Sequence, residues 1–225
     1  MQLPKVFLDR KRIFLEKLNK AKENREVDED IIDLLDMLNS IPFIYTTSSC
    51  SGRIMLIDVP FNQRKEASKR IAKWHKPVTF DSVWNIVESY DPKGVLWLKQ
   101  ESFIVALAVP SIEWASYLIR LARLFGFKES GIRSINLDAN HFFLDISGTE
   151  KLHVPISLNP RGLIITREYG ELLINIANRL LLRTKSKLNL LRSVIKKLIT
   201  ILEANHIEDP KKIGFKAFLD LLKKK

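Results

Sequence analysis

The sequence predicts an α+β fold, in which a mixed sheet packs against helices and the strands and helices do not alternate regularly. Two observations lead to this prediction. Segments with apolar residues at helical spacing and segments rich in β-branched and aromatic residues follow one another in irregular order. The eight glycines form no GxG pair, so the fingerprint of a Rossmann fold and the P-loop are missing. The pattern therefore gives no support to a dehydrogenase, a kinase, an NTPase or a Rossmann-type methyltransferase.

Helices are predicted from the spacing of apolar residues and from capping residues. They are expected over residues 5–22, from Asp28 to Pro42, after the N-cap Thr79, from the N-cap Ser111 to Gly126, from Arg167 to about residue 205, and after Pro210. The last two make up a helical C-terminal segment.

Strands are predicted where β-branched and aromatic residues are dense. They are expected at residues 43–47, 53–59, 94–100, 103–109, 137–146, 152–158 and 163–166. The first two flank an SSCSG turn, whereas residues 60–78 give no clear pattern. Both halves of the chain pass from a helix through a strand to a polar loop, with Ser51-Gly52 in one and Ser130-Gly131 in the other. This similarity between the two halves is compatible with a duplicated unit.

The composition is typical of a soluble intracellular protein. The chain has 225 residues and is 46% hydrophobic, which is enough for a sizeable core. No apolar run reaches the roughly 18 residues of a membrane span. The N-terminal stretch MQLPKVFLDRKR carries charges every few residues instead of the apolar region of a signal peptide. We therefore expect a cytoplasmic protein.

The cysteine and histidine content argues against a metal centre. Cys50 is the only cysteine, so an internal disulfide, a zinc site built on cysteines and an iron–sulfur cluster are excluded. The histidines show no HxxxH spacing, and no metal is expected. As a nucleophile Cys50 would need a base and a lowered thiol pKa, and no Cys-His signature is visible.

The net charge of +11 is concentrated at the C-terminal end. Residues 179–225 contain thirteen Lys and Arg against four acids, a net charge of +9. We therefore predict an α+β domain over residues 1–178 and a basic helical extension over residues 179–225, packed on the same domain. A segregated basic surface favours a polyanionic partner such as nucleic acid. The alternative is a lysine-rich helix, of the kind found in thermophilic proteins, whose charged face is exposed to solvent.

The stretch TTSSCSGRI, residues 46–54, has the composition of a binding loop. Ser48, Ser49 and Ser51 supply short hydroxyl side chains, and Gly52 allows backbone N–H groups to converge on an anion. Arg53 could hold a carboxylate through two hydrogen bonds. An ordinary hairpin turn, whose hydroxyls bond their own backbone, would have the same composition.

Two residues are candidates for a general base. His75, in WHKP, has a side chain that ordinarily titrates near neutrality. Glu101, in KQESF, is predicted to lie at the junction of two strands. A structural or surface histidine and a solvated hairpin carboxylate are the alternatives. Ser130-Gly131 is either a second binding loop or a connection.

The chain resembles the tRNA wybutosine-synthesis methyltransferases that act in the third step, after the tricyclic base is made. TTSSCSGRI resembles the signature loop of that family, and DEDIIDLLDMLN precedes it as in the family. His75 follows at the expected place, and LKQESFIVALAV, ARLFGFKESGI, LHVPIS and ITREYGELLINIAN resemble later family blocks. The match covers roughly residues 5–180. The family has an aromatic residue and a proline around the glutamate where this chain has Gln-Glu-Ser.

The resemblance implies a fold that is not the Rossmann methyltransferase fold and S-adenosylmethionine as methyl donor. It implies that the acceptor is N4 of a demethylwyosine-type base at position 37 of phenylalanine tRNA. Cofactor and base would bind at Ser48, Ser49, Ser51, Gly52, Arg53, Ser130 and Gly131, and His75 or Glu101 would accept the proton. The tRNA backbone would contact Arg179, Arg183, Lys185, Lys187, Arg192 and Lys196. The alternative function is a non-catalytic tRNA-binding module.

Overall fold

The computed structural model describes residues 3–61, 68–137, 139–204 and 215–223, without the side chains of residues 218 and 221–223. The chain divides into two compact units. Unit one comprises Met1–Cys50, Ile104–Thr149 and Lys187–Lys225. Unit two comprises Ser51–Phe103 and Glu150–Ser186.

Helices and strands are interspersed irregularly along the chain, as predicted. The α-helices are α1 (Lys5–Glu23), α2 (Ile32–Ser40), α3 (Phe80–Ser89), α4 (Ile112–Leu124), α5 (Arg167–Ala204) and α6 (Phe215–Lys223). The strands are β1 (Tyr45–Cys50), β2 (Arg53–Val59), β3 (Lys69–Trp74), β4 (Val95–Glu101), β5 (Ile104–Val109), β6 (Gly131–Asn136), β7 (His141–Ser147), β8 (Leu152–Leu158) and β9 (Gly162–Leu163). The α+β class is confirmed.

Unit one is built on a four-stranded sheet of order β1-β5-β7-β6. Its strand pairs are all antiparallel. The sheet contacts α1, α2 and α4. The central strand β5 is buried from Val105 to Val109, and a row of leucines at helical spacing, Leu34, Leu35 and Leu38, buries one side of α2. Phe43 stacks on Trp114 with ring centroids 4.0 Å apart.

Unit two is built on a five-stranded antiparallel sheet of order β3-β2-β4-β8-β9. Alternate residues of β4 are buried, as the period of a half-buried strand requires. They pack against α3 and against the first part of α5, which contributes Leu173, Ile174, Ala177 and Leu181 to the core. At Gly170 a Cβ atom would lie 2.2 Å from the Trp84 ring, so glycine lets the helix approach the indole closely.

The segments 43–47 and 53–59 do not form the expected hairpin. The first strand extends through Ser48 to Cys50 and pairs with β5, whereas β2 pairs with β3 and β4. In place of the mixed sheet that we expected, the strands form two separate antiparallel sheets. The hydrophobic pattern predicts which residues are strands, but the choice of partner depends on contacts that are distant in sequence.

The expected boundary after residue 178, between an α+β domain and a basic helical extension, stays a prediction. That position lies inside α5, whose residues up to Ser186 belong to unit two and whose residues from Lys187 belong to unit one. Leu181 is fully buried in the core of unit two, so this part of α5 packs within that unit.

Local predictions agree with the structure. The side chains of Thr79 and Ser111 accept hydrogen bonds from Ser82 N and Trp114 N at the starts of α3 and α4. Gly126 follows α4 with φ +88°. Among the described residues, no helix combines the length and apolar character that crossing a membrane requires.

Candidate functional site

The stretch TTSSCSGRI contributes to both units. Residues 46–50 lie in β1 of unit one, Ser51 and Gly52 form a short connection, and Arg53 begins β2 of unit two. The register of β1 against β5 shifts between Thr46 and Ser48, which makes Thr47 the extra residue of a β-bulge. Bulges re-aim neighbouring side chains and are common beside binding sites.

In unit one, residues 46–49 line a pocket of about 310 Å³. This volume lies at the lower end of the range for small-molecule sites, about 300–1,000 Å³. One set of lining residues is apolar and comprises Phe14, Leu18, Ala21, Val27 and Leu35. The polar set comprises Lys17, Glu26, Thr46, Thr47, Ser48 and Ser49. The pocket thus offers an apolar surface for a flat ring system and several hydroxyl groups for its polar edge.

Asn39 of α2 fixes the strand that lines this pocket. Its Nδ2 donates to Leu35 O and to Thr46 Oγ1, both at 2.8 Å, and its Oδ1 accepts from Thr46 N at 2.9 Å. Because Thr46 Oγ1 accepts from Asn39, its own hydroxyl proton can be donated elsewhere. The neighbouring Thr47 Oγ1 is enclosed and makes no hydrogen bond with any described residue.

Phe14, which lines the pocket, belongs to a cluster of aromatic side chains. Tyr45 stacks on Phe14 at a centroid distance of 5.2 Å and lies 5.1 Å from Phe7. Burial raises the pKa of Tyr45 to about 12, and the charge of Arg10 opposes this effect. The neutral tyrosine is therefore the stable form at any ordinary pH.

In unit two, His75 contacts the short segment formed by Ser51 and Gly52, which we name the Ser51–Gly52 turn. His75 Nδ1 lies 3.0 Å from Gly52 O, and because a carbonyl only accepts, Nδ1 carries the donated proton. In the neutral imidazole this leaves Nε2 as the basic nitrogen. Ser51 is fully buried, and its Oγ lies 3.5 Å from His75 Nδ1.

No side chain larger than hydrogen fits at Gly52. Its φ is +91°, and a Cβ atom would lie 2.5 Å from Thr184 Cγ2 and 3.2 Å from Glu101 O. Gln100 fixes the end of β4 beside Gly52. Its Nε2 donates to Glu101 O at 3.0 Å and to Thr184 Oγ1 at 3.3 Å. The turn therefore depends on both a special backbone conformation and a close approach of α5.

Sequence reasoning missed Lys185 as a neighbour of this turn. Its Nζ donates to Ser51 Oγ at 2.8 Å and to Ser51 O at 3.1 Å, and it lies 3.5 Å from Gly52 O. Its position 134 residues away in the sequence gives no local signal of the contact. The predicted contact of Lys185 with tRNA stays a prediction.

Charged side chains lie next to the turn on β2, β4 and β8. Arg53 stands directly opposite Glu101 in the β2–β4 ladder. The Nε of Arg53 is enclosed and forms no hydrogen bond with any described residue. Glu101 Oε1 lies 2.9 Å from His153 Nε2, a pairing that the sequence did not suggest. The structure thus brings Ser51, Gly52, Arg53, His75 and Glu101 into one unit.

Ser130 and Gly131 lie in unit one at the start of β6. Ser130 is buried, its Oγ accepts from Ser147 N at 3.1 Å, and its carbonyl accepts from Arg123 Nε and Nη2, both at 3.2 Å. A Cβ on Gly131 would meet nothing within 4 Å. These contacts give Ser130 a structural task, and a role of this loop in binding stays a prediction.

The six predicted tRNA contacts on α5 differ in what their side chains meet. Arg179, Arg183 and Lys196 are exposed, and Arg183 lies 4.0 Å from Glu150. Lys187 donates to Thr149 Oγ1 at 3.3 Å. Arg192 Nη2 donates to Asp30 O at 2.8 Å and to Asp33 Oδ1 at 2.9 Å. The exposed three are the best placed to meet a polyanion.

Comparison with known proteins identifies relatives over most of the chain. The family model described as methyltransferase TYW3 matches residues 9–197. A tRNA(Phe) 7-((3-amino-3-carboxypropyl)-4-demethylwyosine(37)-N(4))-methyltransferase 2 of Pyrococcus furiosus is 36% identical over 188 residues, 84% of this chain and 89% of the relative. The methyltransferase of this kind from Thermococcus sibiricus is 36% identical over 84% of this chain and 93% of its own length.

Solved structures show the same fold. The PH1069 protein of Pyrococcus horikoshii OT3 has a TM-score of 0.77 and 35% identity, with 88% of this chain and 97% of that chain covered. A hypothetical protein from Aeropyrum pernix has a TM-score of 0.65 and 27% identity, with 76% of this chain and 99% of that chain covered.

Proposed function

Since this chain belongs to the methyltransferase TYW3 family, we propose that it methylates N4 of 7-(3-amino-3-carboxypropyl)-4-demethylwyosine at position 37 of phenylalanine tRNA. The observation that carries the proposal is the 36% identity to relatives named for this reaction, over 84% of the chain. S-adenosylmethionine would supply the methyl group: the acceptor nitrogen would form a bond to the methyl carbon while the carbon–sulfur bond breaks, S-adenosylhomocysteine would leave, and the nitrogen would give up its proton. The chain must then bind two substrates, hold them in line and remove a proton.

We assign the adenosine part of S-adenosylmethionine to the pocket of unit one. The lining fits such a group, because the pocket is lined both by apolar side chains and by hydroxyl groups. The enclosed Thr47 Oγ1 has no hydrogen bond with the described residues, and a polar group buried without a partner costs about 1–3 kcal/mol. A polar ligand edge that meets this hydroxyl would remove the cost.

We assign proton removal to His75 in preference to Glu101. The hydrogen bond from His75 Nδ1 to Gly52 O fixes the ring and leaves Nε2 as the basic nitrogen. Glu101 Oε1 lies at hydrogen-bonding distance from His153 Nε2. A positioned base contributes about 10²–10⁴-fold to a proton transfer. Arg53 would hold a carboxylate, which both the named acceptor base and the methyl donor carry.

The exposed basic residues of α5 would bind the tRNA backbone. Each phosphate contact that releases a counterion makes affinity depend more steeply on salt. Arg179, Arg183 and Lys196 are the first candidates because their side chains are exposed.

The deciding experiment measures transfer of labelled methyl from S-adenosylmethionine to phenylalanine tRNA that carries the demethylated tricyclic base. Unmodified tRNA is the control. Label that enters only the modified tRNA supports the proposal. Tight, salt-sensitive tRNA binding without transfer would instead establish a non-catalytic tRNA-binding module.

Substitution of the base provides a second test. His75→Gln should lower the turnover number by about 10²-fold or more, because a proton acceptor is lost. The matched control is His153→Gln, which also removes an imidazole from unit two but leaves His75 in place. Full activity of His75→Gln between pH 6 and pH 8 would move the role to Glu101.

A further inference from the structure

We propose that Lys185 is a positioning residue that holds the Ser51–Gly52 turn in its working shape, and that it does not contact the tRNA backbone. The proposal concerns the site described under the proposed function. Its prediction for the turnover number rests on that function. It gives Lys185 a role that differs from that of the exposed basic residues on α5. Three features of unit two support this role: the direction of the ammonium group, the burial of Ser51 and the conformation of Gly52.

The ammonium group of Lys185 is directed at the turn. It donates to the side-chain oxygen and the carbonyl of Ser51 at 2.8 and 3.1 Å and lies 3.5 Å from Gly52 O. The acceptor residue Ser51 is fully buried, so these bonds are shielded from water. Hydrogen bonds from a charged donor are shorter and stronger than neutral ones, and a low-dielectric environment strengthens them further.

Neighbouring basic residues on the same helix behave differently. The Arg183 side chain is 72% exposed, and Arg179 is also exposed. Lys185 is partly buried, and its ammonium group donates to the fully buried Ser51. The same run of basic residues therefore contains side chains that face solvent and one that is built into the turn.

The turn needs such support because its backbone is unusual. Gly52 has φ +91°, and its carbonyl is also the acceptor for His75 Nδ1. Lys185 and His75 thus approach the same short piece of backbone. Movement of the Gly52 carbonyl would turn the imidazole with it, so the ammonium group acts on the base through the turn.

The test compares Lys185→Met with Lys185→Arg and with Arg179→Gln. Lys185→Met keeps the length of the stem and removes the charge, Lys185→Arg keeps the charge in a different shape, and Arg179→Gln removes an exposed charge from the same helix. Amide hydrogen exchange of the peptide around residues 48–54 reports on the turn without reference to activity. The salt dependence of tRNA binding reports on phosphate contacts, and the turnover number at saturating substrates reports on chemistry.

For Lys185→Met we expect amide exchange at Ser51, Gly52 and Arg53 to rise about tenfold or more. The turnover number should fall by at least tenfold, and the slope of the logarithm of tRNA affinity against that of salt should stay unchanged. Lys185→Arg should lie between the wild type and Lys185→Met in exchange and turnover. Arg179→Gln should leave exchange unchanged and reduce the salt slope by about one.

Three results would overturn the proposal. Unchanged exchange with a reduced salt slope would make Lys185 a phosphate contact. Faster exchange with full turnover would make it a structural residue without a task in positioning. An equal rise in exchange for Arg179→Gln would show that the effect is not specific to the turn. If the wild type transferred no methyl at all, the proposed function would fail, and exchange and salt slope would still decide the role of Lys185.

Discussion

Ser49 and Ser51 are two residues apart in the sequence, yet their surroundings differ in kind. Ser49 is partly exposed and lines a pocket of about 310 Å³ whose other lining residues are half apolar and half polar. Ser51 is fully buried, and its hydroxyl accepts a hydrogen bond from an ammonium group. The first belongs to unit one and the second to unit two. Hydroxyl residues that look equivalent in TTSSCSGRI therefore serve as lining in one unit and as internal support in the other.

The comparison teaches that the polar composition of a stretch does not reveal which of its side chains meet a ligand. In unit one, Thr47 offers an enclosed hydroxyl that no described residue uses. In unit two, the acceptors of the Ser51–Gly52 turn already receive bonds from Lys185 and His75. We therefore expect changes in the turn to lower stability and activity together, and loss of the Thr47 hydroxyl to weaken ligand binding without a loss of stability.

The largest effect is expected from Gly52→Ala. The positive φ costs about 1–2 kcal/mol for an L-residue, and overpacking against Thr184 and the backbone of Glu101 adds about 1–3 kcal/mol. The free energy of unfolding, measured in urea, should fall by the sum, and activity should be lost. The control is Gly162→Ala in the same unit, where φ is +78° but a Cβ meets nothing within 4 Å. Equal losses for the two variants would contradict the close approach at Gly52.

The next largest effect is expected from Asn39→Ala, which tests the support of the pocket strand. The substitution leaves the buried Thr46 N and Oγ1 without their Asn39 partners, and each such loss costs about 1–3 kcal/mol. Thermal unfolding should show the destabilisation together with weaker binding of S-adenosylmethionine. Ser40→Ala, at an exposed neighbour on α2, should change stability by less than about 0.5 kcal/mol. An Asn39→Ala protein as stable as the wild type would show that the pocket strand does not depend on this side chain.

A selective effect on binding is expected from Thr47→Val. Valine has nearly the shape of threonine, and the enclosed hydroxyl makes no hydrogen bond with the described residues, so the substitution should not lower the stability of the unliganded protein and should raise it where the cost of the buried hydroxyl is relieved. Loss of one hydrogen bond to a ligand should weaken S-adenosylmethionine binding about tenfold, or about 1.4 kcal/mol, by calorimetry. Thr200→Val, on the exposed face of α5, controls for the substitution itself. Unchanged affinity would remove Thr47 from the cofactor site.

The smallest effect is expected from Tyr45→Phe, and it depends on pH. Burial raises the pKa of Tyr45 to about 12, above its ordinary value of about 10. Between about pH 10 and about pH 12 the folded protein therefore keeps the Tyr45 proton, whereas the unfolded chain loses it. The free energy of unfolding falls as pH rises through this range. Tyr45→Phe should weaken this fall and change stability at pH 7 by less than about 1 kcal/mol.

Tyr90 should cause the loss of stability at alkaline pH that remains in Tyr45→Phe. Its pKa is also raised to about 12, by burial first and then by its hydrogen bond to Asp58. Urea unfolding at pH 8 and pH 11 checks the difference between wild type and variant. An identical loss of stability in both proteins would show that Tyr45 does not contribute to it.

The features that the sequence predicts well are local. The hydroxyl groups of Thr79 and Ser111 cap helices through bonds to residues three positions later, so each signal lies within one turn. The apolar spacing of α5 persists over 38 residues, which makes its helical character clear. The family resemblance, confirmed by the match over residues 9–197, supplied the function that composition alone did not indicate.

The features that the sequence did not predict depend on distant contacts or on edge strands. Strand β3 lies at a sheet edge, and its charges at Lys69, Arg70 and Lys73 hide the strand pattern while they protect that edge. Strand β6 is also an edge strand and is largely exposed. The site was predicted as a set of residue types, but neither the Lys185 contact nor the His153–Glu101 pair had a local signal.

The bulge at Thr47 restricts how the length of this stretch can change. Successive strand residues point to opposite faces, so one inserted or deleted residue between Tyr45 and Cys50 would exchange the faces of every side chain on one side of the change. Deleting the bulge residue would make the ladder regular and move Ser48 and Ser49 away from their present neighbours. We therefore expect residues 46–50 to tolerate single substitutions more readily than a single insertion or deletion.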